Sequence, residues 1–112
     1  MRPAWLLREG EVLAALEVAD TRKARRKGLL GRDGIDGALL FPSARMGVHT
    51  FGMRFPLDVA FCDREMIVQR IVCLQPGRMT KPSFRAPCVI EAQAGAFDRW
   101  QLHCGDQLEI KD

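Results

Sequence analysis

The residues best able to do chemistry lie together in one short block of the chain. Residues 49–61 read His-Thr-Phe-Gly-Met-Arg-Phe-Pro-Leu-Asp-Val-Ala-Phe, so one of only two histidines and the carboxylate of Asp58 lie in a largely apolar run. The charge of a histidine can change near neutral pH, so His49 could carry a proton. A carboxylate buried in an apolar strand needs partners, and Arg54, Thr50 and the N–H groups of a turn are candidates for Asp58.

Two interpretations of this block are open. In the functional one, His49 acts as a general base and Asp58 orients it or serves as a second acid–base group. In the structural one, which we favour, Asp58 caps a turn and His49 is a satisfied, half-buried side chain.

A small binding pocket is a second way to use the same block. Polar side chains that converge beside phenylalanines suit a small anionic or polar ligand, and arginines bind carboxylate or phosphate groups bidentately. The candidate ligand-binding residues are Arg32, His49, Thr50, Met53, Arg54 and Asp58. The alternative is that the arginines are solvated or form weak surface ion pairs with Asp33, Asp36 and Asp58.

A basic cluster precedes this block. Arg22, Lys23, Arg25, Arg26 and Lys27 place five cations within six residues. Such a cluster could contact nucleic acid or an acidic partner. A solvated helix face is the favoured interpretation, because the net charge of the chain is only +3 and no aromatic stacking platform accompanies the cluster.

The cysteines give no local metal or redox motif. Cys62, Cys73, Cys88 and Cys104 are 11, 15 and 16 residues apart, and neither Cys-x-x-Cys nor His-x-x-x-His occurs. We therefore assign no metal site and expect no cofactor. Two minor alternatives are a Cys104 nucleophile next to His103, and a metal site that the fold assembles from the histidines and cysteines.

The elements that must position these residues are short, because ten glycines and six prolines divide the chain. Strands are predicted over residues 5–7, 12–18, 38–41, 47–53, 57–62, 66–74, 88–92 and 107–110. Helices are predicted over 21–29 and over 94–102, the second docking through Phe97 and Trp100. A hairpin of 47–53 with 57–62 would place Met53 opposite Leu57 and would put His49 and Asp58 on opposite faces.

These elements predict a mainly β (α+β) single domain over residues 1–112. Seven to eight short strands and two short helices favour a small β-sandwich or a partly open barrel. With 47% apolar and 28% charged residues in 112, the chain is too short for a multidomain enzyme and is not disordered. The apolar stretch near the N-terminus is too short for a signal peptide, and no run could span a bilayer, so a cytoplasmic location is expected.

The block resembles a known family. His-Thr-Phe-x-Met-Arg followed by Pro-Leu-Asp-Val-x-Phe, with Gly28-Leu29-Leu30-Gly31-Arg32 before it and Ala94-Gly95 after it, is similar to domain-of-unknown-function family 192. The resemblance covers about residues 12–110, with Gly52 where many members carry Trp. It implies a compact β-rich domain with short helices, and it implies no activity.

Three functions follow as hypotheses. The first is a non-enzymatic accessory domain that binds a small ligand or a protein partner through the hairpin between His49 and Asp58. The second is a small hydrolase or transferase with His49 as general base and Asp58 as supporting carboxylate. The third is a binder of nucleic acid or of an acidic partner through the basic cluster.

Overall fold

A computed structural model describes residues 2–20 and 32–112 of the chain. In these residues the elements, in chain order, are β1 (Arg2–Arg8), β2 (Glu11–Val18), β3 (Ala38–Phe41), β4 (Leu57–Cys62), β5 (Val68–Leu74), β6 (Cys88–Gln93), α1 (Ala96–Arg99) and β7 (Glu109–Lys111). The helix predicted over 21–29 and the basic cluster at 22–27 lie outside the described residues.

The seven strands form one sheet in the order β5-β4-β6-β3-β2-β1-β7. Every neighbouring pair is antiparallel except β2 and β3, which run parallel. The sheet is not closed into a barrel, and the described residues contain very little helix. The mainly β fold class predicted from the sequence is therefore confirmed.

The first hairpin illustrates how local sequence fixes register. β1 and β2 pair from Arg2 with Val18 to Arg8 with Glu11, and Glu9 and Gly10 form the turn between them. Both turn residues have positive φ angles, 51° and 78°, as a two-residue turn requires when it matches the twist of its strands. The predicted hairpin at this position agrees with the structure.

Two apolar clusters cover the two faces of the sheet. The face that carries α1, here called the helix face, is built from residues such as Ala60, Ile90 and Phe97. The opposite face, here called the loop face, is built around Leu39, Val59 and other side chains of the central strands. Successive side chains of a strand point to opposite faces, so β4, in which all six residues are buried, must be covered on both sides.

The hairpin predicted between residues 47–53 and 57–62 is wrong. β4 pairs with β5 and β6 instead, so Phe61 lies opposite Arg70 and Val89 rather than opposite His49. Residues 47–53 form no strand. Gly47 and Gly52 have φ angles of 90° and 79°, which interrupt extended backbone. Leu57–Cys62 instead hydrogen-bonds to a strand along each edge, and the two apolar clusters bury its faces.

Candidate functional site

Thr50, a predicted ligand residue, is a structural anchor. Its side chain is fully buried, and its Oγ1 donates to the Gln75 carbonyl at 2.7 Å and accepts the Arg78 N–H at 2.9 Å. The Thr50 backbone N–H donates to the Arg78 carbonyl at 2.8 Å, and the Thr50 carbonyl accepts from Gly77 at 3.0 Å. Thr50 therefore ties the block found in the sequence to the turn that follows β5.

The hydrogen bonds of Thr50 are part of a longer, irregular antiparallel pairing of residues 45–51 with residues 78–85, here called the loop pair. The Thr80 N–H donates to the Val48 carbonyl at 2.8 Å, and the Ser83 N–H donates to the Arg45 carbonyl at 2.7 Å. The backbones approach closely at Gly47, where a Cβ atom would lie 2.7 Å from the Lys81 carbonyl oxygen. Glycine is thus required at this point of the loop pair.

His49 lies exposed on the loop pair and is bridged to Met79 across it. Its ring stacks on Phe51, with ring centroids 5.2 Å apart and an interplanar angle of 25°. Its Nδ1 accepts the Phe51 backbone N–H at 3.3 Å. His49 therefore belongs to a solvent-facing aromatic pair and not to an enclosed catalytic pocket.

The loop pair exposes apolar side chains and unpaired cations together. Four of the six large hydrophobic residues that the described chain exposes lie here: Met46 (72% exposed), Phe51 (50%), Met79 (67%) and Phe84 (63%). The loop pair also carries Arg45, Arg78, Lys81 and Arg85 and has no Asp or Glu. Each of the five ion pairs between described residues involves an arginine outside the loop pair.

Asp58 lies beneath α1, on the other face of the sheet. It is 8% exposed, and its Oδ2 accepts the N–H groups of Gly95 at 2.9 Å and Phe97 at 3.1 Å. Two N–H groups at the start of a helix are thereby satisfied by a side chain from β4. The structural interpretation, a carboxylate held by turn N–H groups, matches this geometry, although the turn is the one before α1. Asp58 does not orient His49.

The two candidate arginines each pair with a nearby acid. Arg32 donates to Glu17 at 3.3 Å, and Arg54 donates to Asp33 at 3.0 Å. Met53 is half-buried at the edge of the loop-face cluster. The structure therefore places the six candidate ligand residues at several separate positions rather than around one pocket.

Glu91 is a residue that the sequence analysis did not single out. It lies on β6, between Leu39 of β3 and Val59 of β4, and is 5% exposed. Burial raises the pKa of its carboxyl group from 4.5 to about 7. No hydrogen bond or ion pair joins its side chain to another part of residues 2–20 and 32–112. The signal in the sequence was a lone carboxylate between Val-Ile and Ala, the same pattern that drew attention to Asp58.

Burial disfavours the ionised form of three of the four thiols, Cys62, Cys73 and Cys88. Burial raises the pKa of Cys62 to about 12, and burial together with the nearby Asp58 carboxylate raises the pKa of Cys73. Cys104 is exposed, and the described cysteines are all free. Within the described ranges, no group of three or more His, Cys, Asp or Glu side chains could hold a metal ion.

Asp58, Asp98 and His103 are among the residues that line an open groove of about 400 Å³. The Asp58 carboxylate that faces it already accepts two backbone N–H groups. His49 does not line this groove, so the two residues of the predicted acid–base pair face different parts of the surface.

No helix within residues 2–20 and 32–112 is long and apolar enough to cross a membrane.

Comparisons with known proteins agree with the fold of this chain and do not establish an activity for it. A family model described as uncharacterized ACR (DUF192) matches residues 5–110. A structure from Sinorhizobium meliloti, whose protein carries a provisional name as a transcription regulator, is similar with a TM-score of 0.76 and 22% identity over 96% of this chain and 92% of that chain. A protein of unknown function from Novosphingobium aromaticivorans is similar with a TM-score of 0.74 and 20% identity over 96% and 83%. The comparison with curated proteins found no match.

Proposed function

Since the chain belongs to the uncharacterized DUF192 family, we propose a function from its own surface: it is a non-enzymatic domain that binds an acidic protein segment on the loop pair. One observation carries this proposal. Four exposed hydrophobic side chains and four cations without a carboxylate partner lie on the same pair of hydrogen-bonded loops, as far as the described residues extend. A partner that supplies apolar side chains and carboxylates would complement both features.

The composition of the loop pair favours a protein partner. Methionine, phenylalanine and arginine are enriched in the centres of protein interfaces, whereas lysine is depleted there. The loop pair has two methionines, two phenylalanines, three arginines and one lysine. Methionine side chains also adapt to partners of irregular shape.

The loop pair is held in place before any partner arrives. The fully buried Thr50 side chain fixes one end, and the Ser83–Arg45 backbone hydrogen bond of 2.7 Å fixes the other. A preorganised surface loses less conformational entropy on binding than a free loop does.

The four free cysteines of the described chain suit a reducing compartment, which supports our expectation of a cytoplasmic location.

Binding is measured by fluorescence anisotropy with a short fluorescein-labelled peptide of alternating Glu and Leu. We expect a Kd of roughly micromolar order, and weaker binding as salt is added. Phe51→Ser should weaken binding about tenfold, because exposed aromatic side chains often dominate an interface. Trp5→Ser is the matched control, since Trp5 is 51% exposed but lies on β1.

Three results would overturn the proposal. They are equal binding of a Gln and Leu peptide, equal losses in the Phe51 and Trp5 variants, and no binding of any acidic peptide. Vesicles containing phosphatidylserine and single-stranded and duplex DNA are further arms of the experiment. Retention on vesicles or DNA without peptide binding would also reject an acidic protein segment as the partner.

The enzyme hypothesis lacks the geometry it needs. A general base and its supporting carboxylate must lie within hydrogen-bond reach of each other or of one substrate. The exposed His49 ring packs on Phe51, whereas Asp58 is buried against α1.

The nucleic-acid hypothesis rests on residues 22–27 and stays a prediction.

A further inference from the structure

A groove runs along the edge of the loop pair. It has a volume of about 500 Å³ and lies between Asp63, Gln69 and Arg70 on one side and Ser83, Phe84 and Arg85 on the other. Its size is in the range of sites that hold small ligands or a few side chains. Because Phe84 and Arg85 belong to the loop pair, the groove continues the surface described above.

The walls of the groove are tied together. The Arg70 guanidinium lies 4.2 Å from the centroid of the Phe61 ring and also donates to the Lys81 carbonyl at 3.4 Å. The Ser83 hydroxyl donates to the Ala86 carbonyl at 2.8 Å. The Arg70–Lys81 hydrogen bond joins β5 to the loop across the groove, and the Ser83–Ala86 bond shapes the loop on its own side.

The charged side chains of the groove differ in whether they already have hydrogen-bond partners. The Asp63 carboxylate accepts the N–H groups of Glu65 at 2.9 Å and Ile67 at 3.0 Å, and the Gln69 amide at 3.1 Å. By contrast, the Arg85 guanidinium has no hydrogen-bond or ion-pair partner within residues 2–20 and 32–112. The groove lining carries two guanidinium groups, Arg70 and Arg85, against the one carboxylate of Asp63, so its net charge is positive. The exposed Phe84 ring lies next to Arg85 in sequence.

We infer that this groove holds an aromatic residue of the partner together with an Asp or Glu directly next to it. This inference rests on the proposed function and narrows the acidic segment to an acidic–aromatic one. The carboxylate pairs with Arg85, whose planar guanidinium can hold both oxygens. The aromatic ring packs against Phe84, since pairs of aromatic rings gain attraction beyond their buried area.

The test uses the full chain and a fluorescein-labelled peptide of alternating Glu and Phe. A second peptide has cyclohexylalanine in place of Phe, which keeps the size and apolar character but removes the π system. We expect the Phe peptide to bind about fivefold more tightly than the cyclohexylalanine peptide. Equal affinities would overturn the preference for an aromatic ring.

Variants of the groove locate the binding. Arg85→Gln should weaken binding of the Phe peptide about tenfold, because it removes a charge-assisted hydrogen bond. Arg99→Gln, an exposed arginine at the end of α1, makes the same charge change away from the groove and should have little effect. Phe84→Leu should remove most of the difference between the two peptides. Each variant changes an exposed side chain, and circular dichroism verifies that it folds.

The two proposals can fail separately. If Phe51→Ser weakens binding but Arg85→Gln and Phe84→Leu do not, the groove inference is wrong and the loop pair remains the binding surface. If no acidic peptide binds, both proposals are rejected. If Arg99→Gln weakens binding as much as Arg85→Gln, the effect is one of net charge, and the groove is again excluded.

Discussion

Asp58 of β4 accepts a hydrogen bond from the backbone N–H of Gly95 at 2.9 Å, across the boundary between the sheet and its single described helix. Gly95 has a φ angle of 97° and turns the chain from β6 into α1. A second bond to the Phe97 N–H aligns the first turn of the helix, so that Phe97 reaches the helix-face cluster. One carboxylate thus couples strand pairing to helix docking.

We predict that Asp58→Ala destabilises the protein by about 2–4 kcal/mol, because the buried Phe97 N–H and the partly buried Gly95 N–H lose a charged acceptor. Asp58→Asn keeps one acceptor oxygen and should be less destabilising. Chemical denaturation at neutral pH measures both free energies of unfolding. A change below about 0.5 kcal/mol for the alanine variant would show that water replaces the carboxylate without penalty.

Glu91 predicts an unusual pH dependence of stability. Burial raises its pKa from 4.5 to about 7, so between these values the folded state holds a proton that the unfolded state has released. Stability therefore falls as pH rises from 4.5 to 7 and levels off above that. The full difference is about 3 kcal/mol.

Glu91→Gln should remove this dependence, because glutamine has the same shape and does not titrate. Denaturation at pH 5 and at pH 8 compares the two proteins. The variant should gain stability relative to the parent chain mainly at the higher pH. Parallel curves for the two proteins would mean that the Glu91 carboxyl is ionised at an ordinary pKa.

Thr50→Val tests the anchor of the loop pair. Valine fills the same space, but it leaves the Arg78 N–H without the Oγ1 acceptor of its partly buried 2.9 Å hydrogen bond. We expect a loss of about 1–3 kcal/mol in the free energy of unfolding, together with weaker peptide binding. Thr80→Val is the control, because Thr80 is only half-buried, and its hydroxyl accepts the Val48 N–H at 3.0 Å. Equal losses in both variants would remove the special role of Thr50.

Alanine substitutions at two glycines distinguish the cost of a left-handed backbone conformation from the cost of a close contact with a neighbouring backbone. Gly47 and Gly77 have similar φ angles, 90° and 76°, but only at Gly47 would a Cβ atom meet neighbours, the nearest at 2.7 Å. Gly77→Ala should destabilise by about 1 kcal/mol, from the left-handed conformation alone. Gly47→Ala should destabilise by at least about 1 kcal/mol more, since the Lys81 carbonyl must shift. Thermal unfolding measures both, and equal effects would show that the loop pair yields easily.

The strands with strong apolar patterns were predictable, and the loop contacts were not. Residues 38–41, 57–62 and 88–92 are apolar runs bounded by turn residues, and all three are strands. By contrast, residues 47–53 have a strand-like composition but pair with 78–80, which has no apolar pattern. That pairing depends on Thr50 side-chain bonds and on a glycine with positive φ, which no periodicity reveals.

The residues of the candidate site were also predictable from the sequence only in part. The sequence indicated that Asp58 needs partners, but not that those partners are N–H groups 37 and 39 positions further along the chain. The unpaired cations of the loop pair become visible only when every ion pair of the described residues is known. Glu91 has the same pattern of a lone carboxylate in an apolar strand as Asp58, but it lies outside the block that holds His49. Its burial follows from its place on a central strand of the sheet.

The order of the strands has a consequence for folding during synthesis. β7 is the neighbour of β1, and residues 105–108 bond to the start of β5, with the Val68 N–H donating to Asp106 at 2.8 Å and the Leu108 N–H to Met66 at 2.9 Å. The final strand thus covers one edge of the sheet and the segment before it covers part of the other. Before residues 105–111 are in place, the backbone groups of β1 and of residues 66–68 lack these partners and are open to pairing with other chains.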